Sequence, residues 1–264
     1  MKAIISINKK FMEVSPKKLI EMISNTKYVK GIEINIDSSS DFELNYLHNL
    51  VFELKKNNMI LQIHGNSDLS LEEQFKYLII LEDYSKYLGY TVLVNMHPIY
   101  DENKDESIIK TSDYMSNIIN EVDSSKLKIC IENLNDMDNR DRLSKEEVIP
   151  IVVTNKLLYF TYDMGHELMD YGHLVDFDNG IISKIANVHV HTNNGKADHM
   201  PIYKNDVFWN ELLKGVKLLV KNKYQNNIVY EYDLYECNGN SIEEKIHDYL
   251  KSIDLFHSMI DSLD

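Results

Sequence analysis

The sequence predicts a (β/α)8 barrel, on three observations. Eight short apolar runs alternate with longer amphipathic stretches from end to end, the pattern of parallel strands buried on both faces and joined by helices. The units recur at roughly 30–40-residue spacing, as β-α repeats do. No Pro/Gly-rich linker or low-complexity tract divides them, and 264 residues is near the usual length of such a barrel, so one domain is expected over 1–264.

Taken in order, the first strand is expected over 3–7. The apolar stretch in MKAIISINKK is too short for the core of a signal peptide. A helix over 16–24 follows, with Pro16 at its first position, where a missing N–H costs nothing. Strand 31–36 leads to helix 42–56, and strand 59–64 to helix 71–88, which Ser70-Leu-Glu-Glu73 opens as a capping box. Strand 91–96 precedes helix 107–122, with the acidic segment 101–106 read as a solvated loop. Strand 127–132 pairs with helix 145–154. After strand 157–162 the pattern is weakest, with one short helix near 180–184. Strand 185–191 runs to helix 207–222, and strand 228–232 to helix 241–260, opened by Ser241-Ile-Glu-Glu244.

Composition narrows the classes. Hydrophobic residues at 44% with 27% charged exclude general disorder, and no apolar run reaches the roughly 18–20 residues of a membrane span. Twenty-eight basic against 42 acidic residues leave a net charge of −14, and only Arg140 and Arg142 are arginine, so the electrostatic footprint of a nucleic-acid binder is missing. Two cysteines, Cys130 and Cys237, are too few for a disulfide framework and fit a cytoplasmic location.

Barrel active sites form at the C-terminal ends of the strands, and here those ends carry a repeated chemistry. Glu33 lies on the second strand, His64 ends the third and His97 follows the fourth. The fifth ends in Glu132-Asn133 and the sixth leads into Asp163-Met-Gly-His166. The seventh carries His189 and His191 and continues to Asp198-His199; the eighth carries Glu231 and Asp233. Six of the ten histidines are in this set. Closing the barrel brings the ends into one mouth, where Glu132, Asp163 and Glu231 would repel one another unless a cation intervened. Imidazole and carboxylate donors suit zinc, manganese, iron or cobalt. His189 and His191 share a strand face, so both can point inward. His189 is taken as the ligand and His191 as a substrate contact or a support behind the ligands.

These residues resemble the xylose isomerase-like barrel superfamily, which includes sugar isomerases and epimerases and zinc-dependent apurinic-site endonucleases. The resemblance covers nearly the whole chain and rests on Gly-Ile-Glu33, His64, His97-Pro, Glu132-Asn133, Asp163-x-x-His166, His189-x-His191, His199-Met-Pro and Glu231. From the isomerases and epimerases it implies one divalent metal on Glu132, Asp163, His189 and Glu231. Glu132 and Glu231 would also move a proton beside a metal-polarised carbonyl. His166, His191, Glu33 and Asn133 would be substrate contacts. From the endonucleases it implies a second site at His64 and His97 with Glu132, and a third at His166 and His199. That third site needs an aspartate two residues before His199, where this chain has Ala197, with Asp198 adjacent.

The favoured expectation is therefore a divalent-metal-dependent isomerase or epimerase of a small sugar or sugar phosphate, with one metal and no membrane association. Lyase or dehydratase chemistry on the same metal is a related option. The alternative is a zinc-dependent phosphodiesterase with two or three metals. Its nucleic-acid rim would have to come from Lys9, Lys10, Lys17, Lys18 and Lys196. A non-enzymatic metal-binding module is the remaining class. Relatives form dimers or tetramers, but no feature of this sequence specifies a homo-oligomer interface. Asn238-Gly239-Asn240, before the last helix, reads equally as a phosphate cradle or as an ordinary turn.

Overall fold

The computed structural model describes residues 1–36, 41–65, 70–135, 142–174 and 179–262. The strands are β1 (Lys2–Ile7), β2 (Val29–Asn35), β3 (Ile60–Gly65), β4 (Val92–Met96), β5 (Leu127–Glu132), β6 (Leu158–Asp163), β7 (Ile185–Val190) and β8 (Asn227–Tyr230). They are parallel and close in sequence order, with β8 returning to pair with β1 from Lys2↔Asn227 to Ile5↔Tyr230. The helices around them are α1 (Pro16–Ser24), α2 (Asp41–Lys56), α3 (Leu71–Leu88), α4 (Lys104–Glu121), α5 (Lys145–Thr154), α6 (Met164–Tyr171), α7 (Trp209–Lys221) and α8 (Ile242–Asp261). None of the described helices is long and apolar enough to cross a membrane.

The alternation of the strands sorts their side chains into two environments. Ile32, Ile34, Ile63, Val94, Ile131, Val188 and Val190 join the apolar layer under the helices. The opposite parity fills the barrel, where Leu93 and Cys130, joined by Ala186 at the register irregularity between β6 and β7, form an apolar floor packed against Tyr159. Above it are Glu33, Gln62, Asn95, Glu132, Thr161, Asp163, Asn187 and His189, each no more than 1% exposed. Polar groups buried this deeply are tolerated only when they bond one another or a bound group.

Local chemistry explains where the elements differ from expectation. Helix α4 starts at Lys104 inside the expected loop, because the Asn103 side chain accepts from the amides of Asp105 and Glu106. Helix α6 occupies the stretch that read as weakest. Asp163 caps it by accepting from the His166 amide at 2.7 Å, and Gly172 ends it in the left-handed conformation. The short helix expected near 180–184 is a 3-10 helix, Asn179–Lys184, and two others, Lys9–Glu13 and Leu234–Glu236, follow β1 and β8. The Ser70 capping box forms as expected. At Ser241 only half of it does: the serine accepts from the Glu244 amide, while the Glu244 carboxylate takes the amide of Asn240.

Candidate metal centre

Each strand delivers its site residue by register. Asp163 on β6 is level with His189 on β7, and His64 on β3 is level with Asn95 on β4. Asn95 donates through its side-chain amide to Glu132 Oε2 in a short hydrogen bond. The ends of β5 and β6 are locked by Asn133, whose amide oxygen accepts from the Asp163 backbone N–H and whose amide nitrogen donates to the Asp163 carbonyl, both at 2.9 Å. Asn133 was expected to contact substrate, but both ends of its side chain are occupied by the backbone of Asp163.

His64, Glu132, His189 and Glu231 bring one donor atom each to within 4.8 Å of one another, all buried. His189 Nδ1 stands 2.7 Å from Glu231 Oε2, 3.4 Å from Glu132 Oε1 and 3.6 Å from Asp163 Oδ2. His64 Nε2 adds contacts of 3.3 Å to Glu132 and 3.8 Å to Glu231. Yet Glu132 Oε1, His189 Nδ1 and Glu231 Oε2 are buried without a hydrogen bond. A single imidazole nitrogen can donate to one of three facing carboxylates at most, so the set is incomplete as a hydrogen-bond network. It is well matched to a divalent cation, which satisfies every lone pair at once.

A second group gathers His166, His191, Asp198 and His199 around another point, also within 4.8 Å. His191 Nδ1 lies 3.1 Å from Asp198 Oδ1, and its Nε2 lies 3.1 Å from Asp163 Oδ1. The His191 and His199 rings stack at 4.3 Å. His166 Nδ1 is 2.9 Å from the Asn133 carbonyl, which can only accept, so Nε2 faces Asp198 at 3.7 Å with its lone pair available. The aspartate missing at Ala197 is thus replaced from the adjacent position. Asp198 turns into the mouth, held by Asn135 at 2.6 Å, beside His199 in a left-handed conformation at φ +53°.

Charge follows the same division. Burial disfavours the ionised carboxylates, but the surrounding imidazoles outweigh it, and Glu132, Asp163 and Glu231 are all held below the ordinary carboxylate range. In turn, burial would lower the histidines, but the carboxylates raise His64 to about 9 and push His189 and His191 well above 6.5. His97 and His199 go the other way, lowered by burial and then by the adjacent charged rings of His64 and His191. The mouth therefore holds His64, His189 and His191 as cations to balance its carboxylates, a charge balance that a bound metal ion could also supply.

Most of the sequence-predicted residues meet here. His97 joins edge-on to His64 at 4.7 Å, with Nε2 3.9 Å from Glu132. Glu33 does not reach the open face; its side chain is wholly buried against His189. Beside Glu231 opens a cavity of about 200 Å³ lined by Ser6, Asn8, Asn35, Asp198, His199, Glu231, Tyr232 and Asp233. Ser6, Asn8 and Asn35 were not anticipated, although Asn8 and Asn35 also stand at strand ends and the same positional rule applied to amides would have found them. The 238–240 turn offers no phosphate cradle. Its Asn238 and Asn240 amides already donate to Asp248 and Glu244. Three of the five rim lysines have acidic neighbours, Lys10 with Asp233, Lys17 with Glu21 and Lys18 with Glu243.

Comparison with known proteins agrees with this fold. An uncharacterized protein of Methanocaldococcus jannaschii, MJ1188, is 27% identical over 152 residues, 56% of this chain and 53% of that protein, so the match spans about half of the relative. Among solved structures, D-psicose 3-epimerase with D-tagatose from Clostridium cellulolyticum H10 matches with a TM-score of 0.67 at 15% identity, over 100% of this chain and 99% of that one. An L-ribulose 3-epimerase matches at 0.69 and 10%, over 98% and 93%. An AP endonuclease, family 2, from Brucella melitensis matches at 0.64 and 13%, over 97% and 98%. Identities this low establish a shared fold and nothing narrower. The xylose isomerase-like TIM barrel family, however, matches residues 29–255, and with the barrel closed by eight parallel strands the chain belongs to that family.

Proposed function

We propose that the protein is a divalent-metal-dependent isomerase or epimerase of a small sugar. The observation that carries this reading is the convergence of Glu132 Oε1, His189 Nδ1 and Glu231 Oε2, buried and without hydrogen bonds, with Asp163 Oδ2 3.6 Å from the same nitrogen. Glu132, Asp163, His189 and Glu231 would hold the metal. When bound, it supplies a Lewis acid that polarises a substrate carbonyl or hydroxyl.

The residues supply the rest. One of Glu132 and Glu231 takes the proton from the carbon beside the carbonyl, and the other returns a proton to the opposite face, so the net change is at one stereocentre or between neighbouring carbons. His166 orients a hydroxyl from one side, with His191 behind it between Asp163 and Asp198, and Ser6, Asn8 and Asn35 offer neutral donors and acceptors from the other. Because the Asn238 and Asn240 amides are taken and the cavity lining carries two aspartates and a glutamate, an uncharged sugar fits better than its phosphate ester. A non-enzymatic module would need no such cavity.

A second reading, a zinc-dependent phosphodiesterase, is favoured by one observation: the assembled His166, His191, Asp198 and His199 group, which would admit further metal. The net charge of −14 and the neutralised lysines weigh against a polyanionic substrate.

The test is turnover of a ketose panel in D2O by protein of measured metal content. Proton transfer predicts deuterium entering the reacting carbon and about one metal per chain. Absence of both turnover and deuterium exchange, together with nicking of abasic DNA at two or three zincs per chain, would overturn the first reading for the second.

A further inference from the structure

The imidazole of His189 is gripped on both sides. Nδ1 faces Glu132, Asp163 and Glu231, while Nε2 points away from the mouth to Glu33, 3.1 Å from Oε1 and 3.4 Å from Oε2. Glu33 belongs to β2 and His189 to β7, strands separated by β1 and β8, so the contact crosses the barrel interior. Both side chains are 0% exposed. Asn187, two residues before His189 on the same strand face, donates to Glu33 Oε2 at 3.2 Å.

We propose that Glu33 is a positioning residue for the metal site: it accepts the Nε2–H of His189 and thereby reserves the Nδ1 lone pair for the divalent cation. The inference rests on the metal-dependent reading above. Without a cation both ring nitrogens face carboxylates; with a divalent cation on the Nδ1 side, the proton the ring keeps is the one facing Glu33, which can only accept it, and the Nδ1 lone pair is left for the metal. Asn187 Nδ2 also lies 3.0 Å from Nε2 and has a second N–H, so a bare Nε2 would accept from Asn187, whereas a protonated Nε2 donates to Glu33. A buried carboxyl behind a ligating histidine both orients the ring and makes it a stronger base toward the metal. With no exposed surface, Glu33 has no route to the substrate; its effect on catalysis passes through His189.

The experiment compares chelator-stripped wild type with Glu33→Gln, which preserves side-chain size, by calorimetric titration with zinc chloride and by 15N NMR of labelled histidines. The expected result is zinc bound by both, roughly 10- to 100-fold more weakly by the variant, with similar melting temperatures. In zinc-loaded wild type the His189 proton is expected on Nε2. Asn187→Ala, which leaves the Glu33–His189 pair in place, should keep wild-type affinity within a few-fold. Equal zinc affinity in wild type and Glu33→Gln overturns the proposal, as does a His189 proton on Nδ1 in the wild type, which decides the matter even where the variant does not fold. A wild type that binds neither zinc nor manganese defeats the metal reading itself, and this role with it.

Discussion

The two donor groups at the barrel mouth are built by different means. His64, Glu132, His189 and Glu231 project from strands or the residue just beyond one, and the parallel register sets their spacing. His166, His191, Asp198 and His199 come from the first turn of α6 and the segment after β7, which is outside the barrel ladder and is held by one antiparallel bridge, Thr192 to Met200. Their placement depends on local backbone devices: the Asp163 cap, the left-handed His199, and Gly165, whose absent Cβ leaves room for the His191 ring. The strand-borne group is therefore preorganised by the fold, while the other can be altered without opening the barrel.

The largest effect that separates them is expected from Glu231→Gln. It removes a proton-transfer group and a metal donor together, so turnover should fall by about 10²–10⁴-fold with the fold retained by circular dichroism. Unchanged activity and metal content by elemental mass spectrometry would take Glu231 out of the site.

Proton competition comes next. His64, raised to about 9, and His189, raised well above 6.5, hold protons at neutral pH in the metal-free protein. A metal must displace them, so affinity should rise with pH up to about 9 and fall as pH is lowered, about tenfold per pH unit for each proton released. Calorimetry in buffers of different ionisation enthalpy counts those protons; zero release contradicts the assignment.

Gly165→Ala targets the other group. An added Cβ would lie 2.1 Å from His191 Cε1, a separation that forces the ring aside. Overpacking of this kind costs about 1–3 kcal/mol, readable as a lower melting temperature. Any metal bound at His166, His191, Asp198 and His199 should be lost while the His189 site stays loaded. His97→Ala tests the boundary between the readings: a one-metal isomerase should keep activity within several-fold, whereas a multi-zinc hydrolase should lose most of it. The smallest effect is expected from Ser70→Ala, which removes the α3 cap and belongs to neither donor group. It should cost about 0.5–2 kcal/mol of stability and leave metal content unchanged.

Much of this was legible in the sequence because strands and strand ends are local features. All eight strands lie within two residues of their expected bounds, and β5 coincides with them. Helix α6 was missed because its capping residue, Asp163, reads as a ligand and its eight residues are too few for a periodic signal. Asp198 looked misplaced by one position, since sequence spacing carries no record of the left-handed turn that directs it inward. His191 read as a substrate contact or as a support behind the ligands, and it lies between Asp163 and Asp198. Glu33, equally a strand residue, faces the closed side of His189.

By itself the sequence determined the alternating β-α order, the acidic balance and the kinds of donor carried at each strand end, because hydrophobic period and strand parity act over a few residues. Which donors meet, which nitrogen of His189 faces the carboxylates, and which backbone amides are already occupied were decided only by tertiary structure. Those choices depend on closure between β1 and β8 and on contacts such as Glu33 to His189, made across 156 positions of chain.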